Sequence, residues 1–397
     1  MNNMQRAWAE IDLDSIAQNV KQIKNILNPG VKLMGVVKAN AYGHGVFETA
    51  KTILKNGADA LAVAFIDEAV ELRKYGIDVP ILILGNSAEE SVEDLLLYNI
   101  TPTVFTEEFA KCLSKKASQM GKTVKIHIKV DTGMCRIGFM YGNEEEQQKT
   151  IDSIEKIAKL PGIEIEGIFS HFATSDEEDT SYTYAQFENF KKLTEKLFDM
   201  GIKIPVRHIA NSAALVRFPE MQLDMVRAGV IMYGMYPSEC VTDGKLLLRP
   251  AMKFKARVIN IKDVEEGLSV SYGKSYVTDA PSKIATIAVG YADGYSRTLS
   301  NRVEVLAKGK RVKQLGRICM DQCMIDVTTV NNINIGDEVT LFGSDGEQNI
   351  PIEYIADKMG TINYEIACIV GRRIPRVYIE GGKPIRSVND LLPGKNG

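Results

Sequence analysis

Eight short apolar runs recur across roughly the first 240 residues, and they constrain the fold more than any other feature. They are "KLMGVV" (32–37), "ALAVAF" (60–65), "ILILG" (81–85), "TPTVF" (101–105), "VKIHIKV" (124–130), "IEGIFS" (165–170), "VRHIA" (206–210) and "DMVRAGVIMYG" (224–234). Several are almost continuously hydrophobic, as strands buried on both faces of a parallel sheet must be. Amphipathic segments separate them. In "GVFETAKTILKNG", Val46, Phe47, Ala50, Ile53 and Leu54 share one helical face, and Gly57 offers a C-terminal stop. "DEAVELRKYG" places acids first and bases last, the order that the helix dipole favours. Eight strand–helix repeats are the count of an α/β TIM-type (β/α)8 barrel. A doubly wound sheet is the alternative, but no run is followed by G-x-G-x-x-G.

The pattern changes near residue 245. In "KFKARVINI", Phe254, Ala256 and Val258 alternate with Lys and Arg, which is half-buried strand periodicity. "SKIATIAVG", "NRVEVLAKG", "QCMIDVTTV" and "GDEVTLFG" follow at short intervals, with Gly, Asp and Asn between them. This predicts a C-terminal all-β, barrel-like domain. The expected domains are a barrel over 1–243 and a β domain over 244–397. Residues 1–12 form an edge strand that could pair with the second domain. The length of 397 residues agrees with two cores.

A net charge of −3 gives no reason to expect nucleic acid or anionic membrane as a partner. No apolar run reaches the roughly 18 residues of a membrane span, and the N-terminal segment lacks a signal-peptide core. A cytoplasmic protein is expected. The six cysteines are scattered. "CMDQC" has no second Cys/His pair at matching spacing, so no metal site is expected.

Chemistry in such a barrel sits where the strands end at their C-termini. Strand one ends at Lys38, with Tyr42 close behind; strand five ends "KVDTGMCRIG", carrying Lys129, Asp131 and Arg136. Strand six ends at His171, strand seven at Asn211 and Ser212, and strand eight carries Arg227, Ala228, Gly229 and Val230. Loops after strands seven and eight commonly bind phosphate through backbone N–H groups. Ser212 could equally be a helix cap and Gly229 a bend. Lys38 could reach solvent with its ammonium. At a buried strand end, however, a lysine loses hydration, its pKa falls, and its amine can attack a carbonyl. Lysine imine plus phosphate points to pyridoxal 5'-phosphate, or to an imine-forming aldolase acting on a sugar phosphate.

The chain resembles the bacterial alanine racemases along nearly its whole length. The segments "VVKANAYGHG", "KVDTGMCRIG", "SHFATSDEED", "HIANSAA", "VRAGVIMYG", "VSYGKSY", "VGYADGYSR", "GRICMDQCMIDV" and "TINYEIACIVGRRIPR" follow the family's order. The resemblance implies pyridoxal 5'-phosphate held as an internal aldimine on Lys38, and interconversion of L- and D-alanine for peptidoglycan precursors. Lys38 would be the base for D-alanine and Tyr272 the base for L-alanine. Inversion at carbon needs one base on each face. His171 would orient Tyr272, with Arg227 behind it and in contact with the pyridine nitrogen. Tyr42, Asn211, Ser212, Arg227, Gly229, Val230 and Tyr364 match cofactor-binding positions. Arg136 and the backbone of Met320 match the substrate carboxylate site. Lys129, Tyr291, Arg297 and Asp321 match positions behind the site or at its entrance, and Lys129 is carbamylated in some members. The family works as a head-to-tail homodimer in which the partner supplies Tyr272 and Met320.

Two residues depart from the family pattern. Cys135 stands where Gly is usual, and Ala228 where Pro or Val is more common. A glycine at such a position suggests a positive φ, which would strain a cysteine. The alternatives to alanine are a racemase of another or broader range, serine for example, and a non-catalytic PLP-binding homeostasis protein.

Overall fold

The computed structural model of the chain describes residues 6–242, 244 and 246–392. Among these, two compact units emerge: a barrel unit within residues 16–41 and 46–249, and a β unit of residues 6–15, 42–45 and 250–392. The boundary expected at 243/244 has its first residue, 243, outside the described residues.

The barrel unit contains two parallel sheets. One runs Met225–Ala228, Lys32–Val36, Ala60–Val63, Ile81–Ile83. The other runs Thr103–Val104, Val124–Asp131, Ile163–Phe169, Val206–His208. A parallel bridge from Leu82 to Thr101 joins them at one seam. At the other, Asp224 N donates to Arg207 O (3.2 Å) and Arg227 N to Ala210 O (3.0 Å). Eight parallel strands therefore close on themselves. Leu33, Leu61, Ile81, Ile83, Ile126, Ile128 and Val226 are fully buried, which explains the unbroken apolar runs.

Helices cover the barrel because their apolar positions recur at helical spacing. Val46–Lys55 buries Val46, Thr49, Ala50 and Ile53. Glu144–Ala158 begins at a capping box in which Asn143 Oδ1 accepts from Glu146 N at 3.0 Å. Among the described residues, no helix is long and apolar enough to cross a membrane.

The β unit is built on a ten-stranded sheet. Its order is Gln348–Ile350, Glu338–Asp345, Glu304–Ala307, Lys310–Leu315, Cys323–Asp326, Ser282–Ile287, Met252–Val264, Ala7–Asp12, Arg376–Glu380, Lys383–Val388. Met252–Val264 also pairs with Glu338–Asp345, so these two and the four strands between them form a closed antiparallel barrel. Closure removes the exposed edges that an open sheet would present. Along Met252–Val264, Met252, Phe254, Ala256 and Val258 are buried and alternate with Lys253, Lys255 and Arg257. Register shifts at Phe254/Lys255 and Val258/Asn260 let this one strand bend between its neighbours.

Candidate active site

Strand Lys32–Val36 delivers Lys38 to the C-terminal end of the barrel, where the backbone reverses its hand. Ala39, Asn40, Ala41 and Tyr42 all have φ between 52° and 55°. A left-handed turn of four non-glycine residues costs about 1–2 kcal/mol per residue. Specific bonds hold it: Ala39 N donates to Glu68 Oε1 (2.6 Å) and Val46 N to Asn40 Oδ1 (2.7 Å). Glu68 Oε2 also accepts from Ala64 N at 2.7 Å, tying the end of strand one to that of strand two.

The loop after Val124–Asp131 wraps around Asp131. Its Oδ1 accepts from the backbone N–H groups of Gly133, Met134 and Cys135, and its Oδ2 from Arg136 N, at 2.8–3.0 Å. Burial alone would raise this carboxyl, but the four N–H bonds bring it below its ordinary range. The loop leaves Arg136 exposed. Lys129 is buried, and its Nζ donates to Val130 O at 2.8 Å. Burial, aided by the charges of Arg227 and Arg136, brings its amine down to about 7.

Cys135 has φ +54° in this loop, so the glycine expectation is met in the backbone itself. Cys135→Gly relieves about 1–2 kcal/mol of left-handed strain and loses about 0.5–1 kcal/mol to chain entropy. The urea midpoint should therefore rise slightly with an unchanged slope. A lower midpoint would show that this backbone is not strained.

Arg227 is the hub of the site. It is 3% exposed, and its Nη2 donates to Ser170 O (2.8 Å) and Ile209 O (3.0 Å). Nη2 also lies 3.1 Å from His171 Nδ1, and Nη1 lies 2.8 Å from His208 Nδ1. Burial, with help from Arg136, lowers the guanidinium to about 9, so it stays charged at neutral pH. His171 is partly exposed. Burial of its ring and the charges of Arg227, Arg136, Lys129 and Lys38 hold it well below the ordinary histidine value. Arg227 thus contacts this imidazole directly, and Arg136, Lys129 and Lys38 act on it electrostatically.

The loops after strands seven and eight meet through Ser212 Oγ, which accepts from Gly229 N at 2.9 Å. Asn211 Oδ1 caps helix Ser212–Arg217 by accepting from Ala214 N (3.0 Å), and it also accepts from Ser175 Oγ (2.9 Å). Val230 is fully buried and opens a short helical turn at Val230–Tyr233.

The remaining candidates lie in the β unit. The rings of Tyr42 and Tyr364 are 6.1 Å apart and tilted by 48°. Burial first, and then Cys368, raise the Tyr42 phenol well above its ordinary value. Tyr272 is 70% exposed on a turn where Ser271, Gly273 and Lys274 all have positive φ. Ser271 Oγ donates to Arg317 O at 2.6 Å, which sets this turn beside the segment leading to Met320. Met320 is exposed, and its carbonyl accepts from Ala292 N at 3.1 Å, next to Tyr291. Asp321 Oδ1 pairs with Arg373 Nη2 at 2.7 Å. Arg297 is exposed at the start of Arg297–Leu299. His127, Glu166, His208 and Glu68 escaped the sequence reading. The partners of His127, Glu166 and His208 come from different strands, so no local spacing marks them, whereas Glu68 stands three residues after Phe65 at the start of helix Ile66–Lys74.

Comparison with known proteins agrees over both units. The family model for the alanine racemase N-terminal domain matches residues 11–237, and that for the C-terminal domain matches 251–378. An alanine racemase of Methanococcus maripaludis is 50% identical over 372 residues, covering 94% of this chain and 98% of that protein. One from Clostridium tetani is 49% identical over 381 residues, covering 96% and 97% respectively. The solved alanine racemase of Clostridium difficile 630 superposes with a TM-score of 0.92 at 44% identity, covering 98% of this chain and 99% of that one.

Proposed function

The chain belongs to the alanine racemase family of PLP-dependent isomerases, and from that premise we propose that it interconverts L- and D-alanine with pyridoxal 5'-phosphate held on Lys38. The observation carrying this reading is the convergence of Lys38, Lys129, Arg136 and Arg227 on His171 at one barrel end. The donor set fits the cofactor. Lys38 offers an amine, Arg227 offers N–H donors to a ring nitrogen, and Ser212, Gly229 and Val230 stand at the usual phosphate loops. Tyr42 and Tyr364 would complete the phosphate site, with Asn211 holding the helix that carries Ser212. When bound, the cofactor withdraws electrons and makes the α-proton of alanine acidic.

The chain's residues then divide the work. Lys38 Nζ takes the α-proton from, or returns it to, one face of the substrate. The partner subunit's Tyr272 does the same at the opposite face, in a head-to-tail homodimer. A phenol with a normal pKa near 10 is a weak base at neutral pH. His171, a neutral ring bonded to Arg227, orients that phenol and lowers the cost of moving its proton. A guanidinium donates hydrogen bonds and does not surrender a proton readily. Arg227 would therefore hold a cofactor's ring nitrogen in its unprotonated form, and so moderate the electron withdrawal that the group supplies. Arg136 and the backbone of the partner subunit's Met320 would hold the substrate carboxylate. Lys129, with a neutral fraction near pH 7, is chemically able to be carbamylated and to brace Arg136. Tyr291, Arg297 and Asp321 would shape the entrance. The reaction would supply D-alanine for peptidoglycan precursors in the cytoplasm.

The test is Cα exchange in deuterium oxide, starting from each alanine enantiomer with the purified, cofactor-loaded protein. Exchange with inversion from both sides is expected. If neither enantiomer exchanges, the racemase reading is wrong and a non-catalytic PLP-binding role replaces it.

A further inference from the structure

A line of polar side chains crosses the barrel unit from the Arg227 end to the opposite end. His208 Nδ1 lies 2.8 Å from Arg227 Nη1, and His208 Nε2 lies 2.8 Å from His127 Nδ1. His127 Nε2 lies 3.5 Å from Glu166 Oε2, and Glu166 Oε1 accepts from Lys125 Nζ at 2.7 Å. His127 and Glu166 line a cavity of about 270 Å³, together with Lys32, Ala60, Val206 and Met225. Those last four residues open barrel strands. The line therefore ends at the barrel's base, away from Lys38.

Donor chemistry gives this line a direction. Arg227 has only N–H donors, so His208 must accept at Nδ1 and carry its proton on Nε2. That proton points at His127 Nδ1, which leaves the proton of His127 on Nε2, facing Glu166. His171 likewise accepts at Nδ1 and keeps its proton on Nε2. Burial lowers His127 and His208 from the ordinary histidine value, as neutral rings require. The charges facing them are Glu166, Lys125, Lys129 and Arg227. Arg227 hydrogen-bonds two carbonyls and two imidazoles, and Glu166 is the carboxylate at the other end of this line.

The surrounding packing preserves the arrangement. Phe169 stacks on His208, with centroids 4.8 Å apart and planes within 6°. A Cβ at Gly167 would lie 2.6 Å from atoms of the His127 ring, so only glycine leaves the ring its place.

We propose that Glu166 is a positioning residue for the chemistry at the far end of the barrel. Through His127 and His208 it steadies Arg227, and through Arg227 it steadies His171. This inference rests on the proposed function, which assigns Arg227 and His171 their roles.

The test uses ¹⁵N-histidine in the holoenzyme. Only four histidines contribute signals, and three belong to this site. His127, His171 and His208 should all appear as Nε2–H tautomers. In Glu166→Gln the Nε2–H signals of His127 and His208 should both move. kcat should fall about tenfold with KM little changed, as when an outer partner of an acting group is lost. Gly167→Ala, which leaves the charge intact, should disturb the same two signals by displacing the His127 ring. Nδ1–H tautomers at His127 or His208 would overturn the proposal. So would a Glu166→Gln protein whose His208 signal and kcat match the wild type. Absence of alanine inversion in the wild type would sink only the functional reading, because the tautomers judge the line independently.

Discussion

Lys38→Ala should reduce alanine inversion by at least about 10⁴-fold, since the substitution removes a positioned base, worth about 10²–10⁴-fold by itself, together with the cofactor's covalent anchor. Borohydride reduction followed by peptide mass analysis should locate the cofactor on Lys38 in the wild type. The variant should show no label there. Lys129 is the rival amine, because it also acts on His171 electrostatically. Its surroundings make it the poorer candidate: it is 3% exposed, and its Nζ is engaged with Val130 O. Lys38 is half-buried, at the end of a strand. Reduced cofactor on Lys129 in the wild type, with activity surviving in Lys38→Ala, would reverse the assignment. Lys38→Arg should be equally inactive, since a guanidinium keeps its proton and cannot serve as base or anchor. That variant separates loss of charge from loss of the amine.

Much of the fold was legible because parallel strands must bury both faces, which leaves a coarse signal in each run. The alternation in Met252–Val264 was readable for the related reason that one of its faces meets water. A barrel-like β unit was expected, but the strand pair that closes it was not readable, since Met252–Val264 meets Glu338–Asp345 across a long separation. The left-handed turn after Lys38 also escaped. "ANAY" has no glycine to announce a positive φ, and Glu68 and Asn40, distant or out of pattern, help to satisfy the backbone around the turn. Lys38, Arg136, Ser212 and Gly229 could be proposed one strand end at a time. The histidine line could not, because Val124–Asp131, Ile163–Phe169, Val206–His208 and Met225–Ala228 each contribute a member. Its faint trace is a histidine inside the apolar run "VKIHIKV", with a glycine in the neighbouring strand to make room for it.

Tyr272→Phe should divide the two directions of the reaction. Loss of the phenolic oxygen removes one of two bases, a cost of about 10²–10⁴-fold in inversion. Lys38 remains, so D-alanine should still exchange its α-proton with solvent without inverting, while L-alanine should lose exchange. Equal losses from both enantiomers in a single turnover would contradict the two-base division. Tyr272 is 70% exposed on its strained turn within one chain, a poor setting for a base that needs an oriented partner. The proposed partner subunit would cover the phenol, and mixing inactive subunits tests it. Each Lys38→Ala subunit retains Tyr272, and each Tyr272→Phe subunit retains Lys38. In a head-to-tail dimer of the two, one site receives both intact residues and the other receives neither. With random exchange about half the dimers are mixed, so activity should return to roughly a quarter of the wild-type level. If exchanged mixtures stay inactive, the two bases come from the same chain.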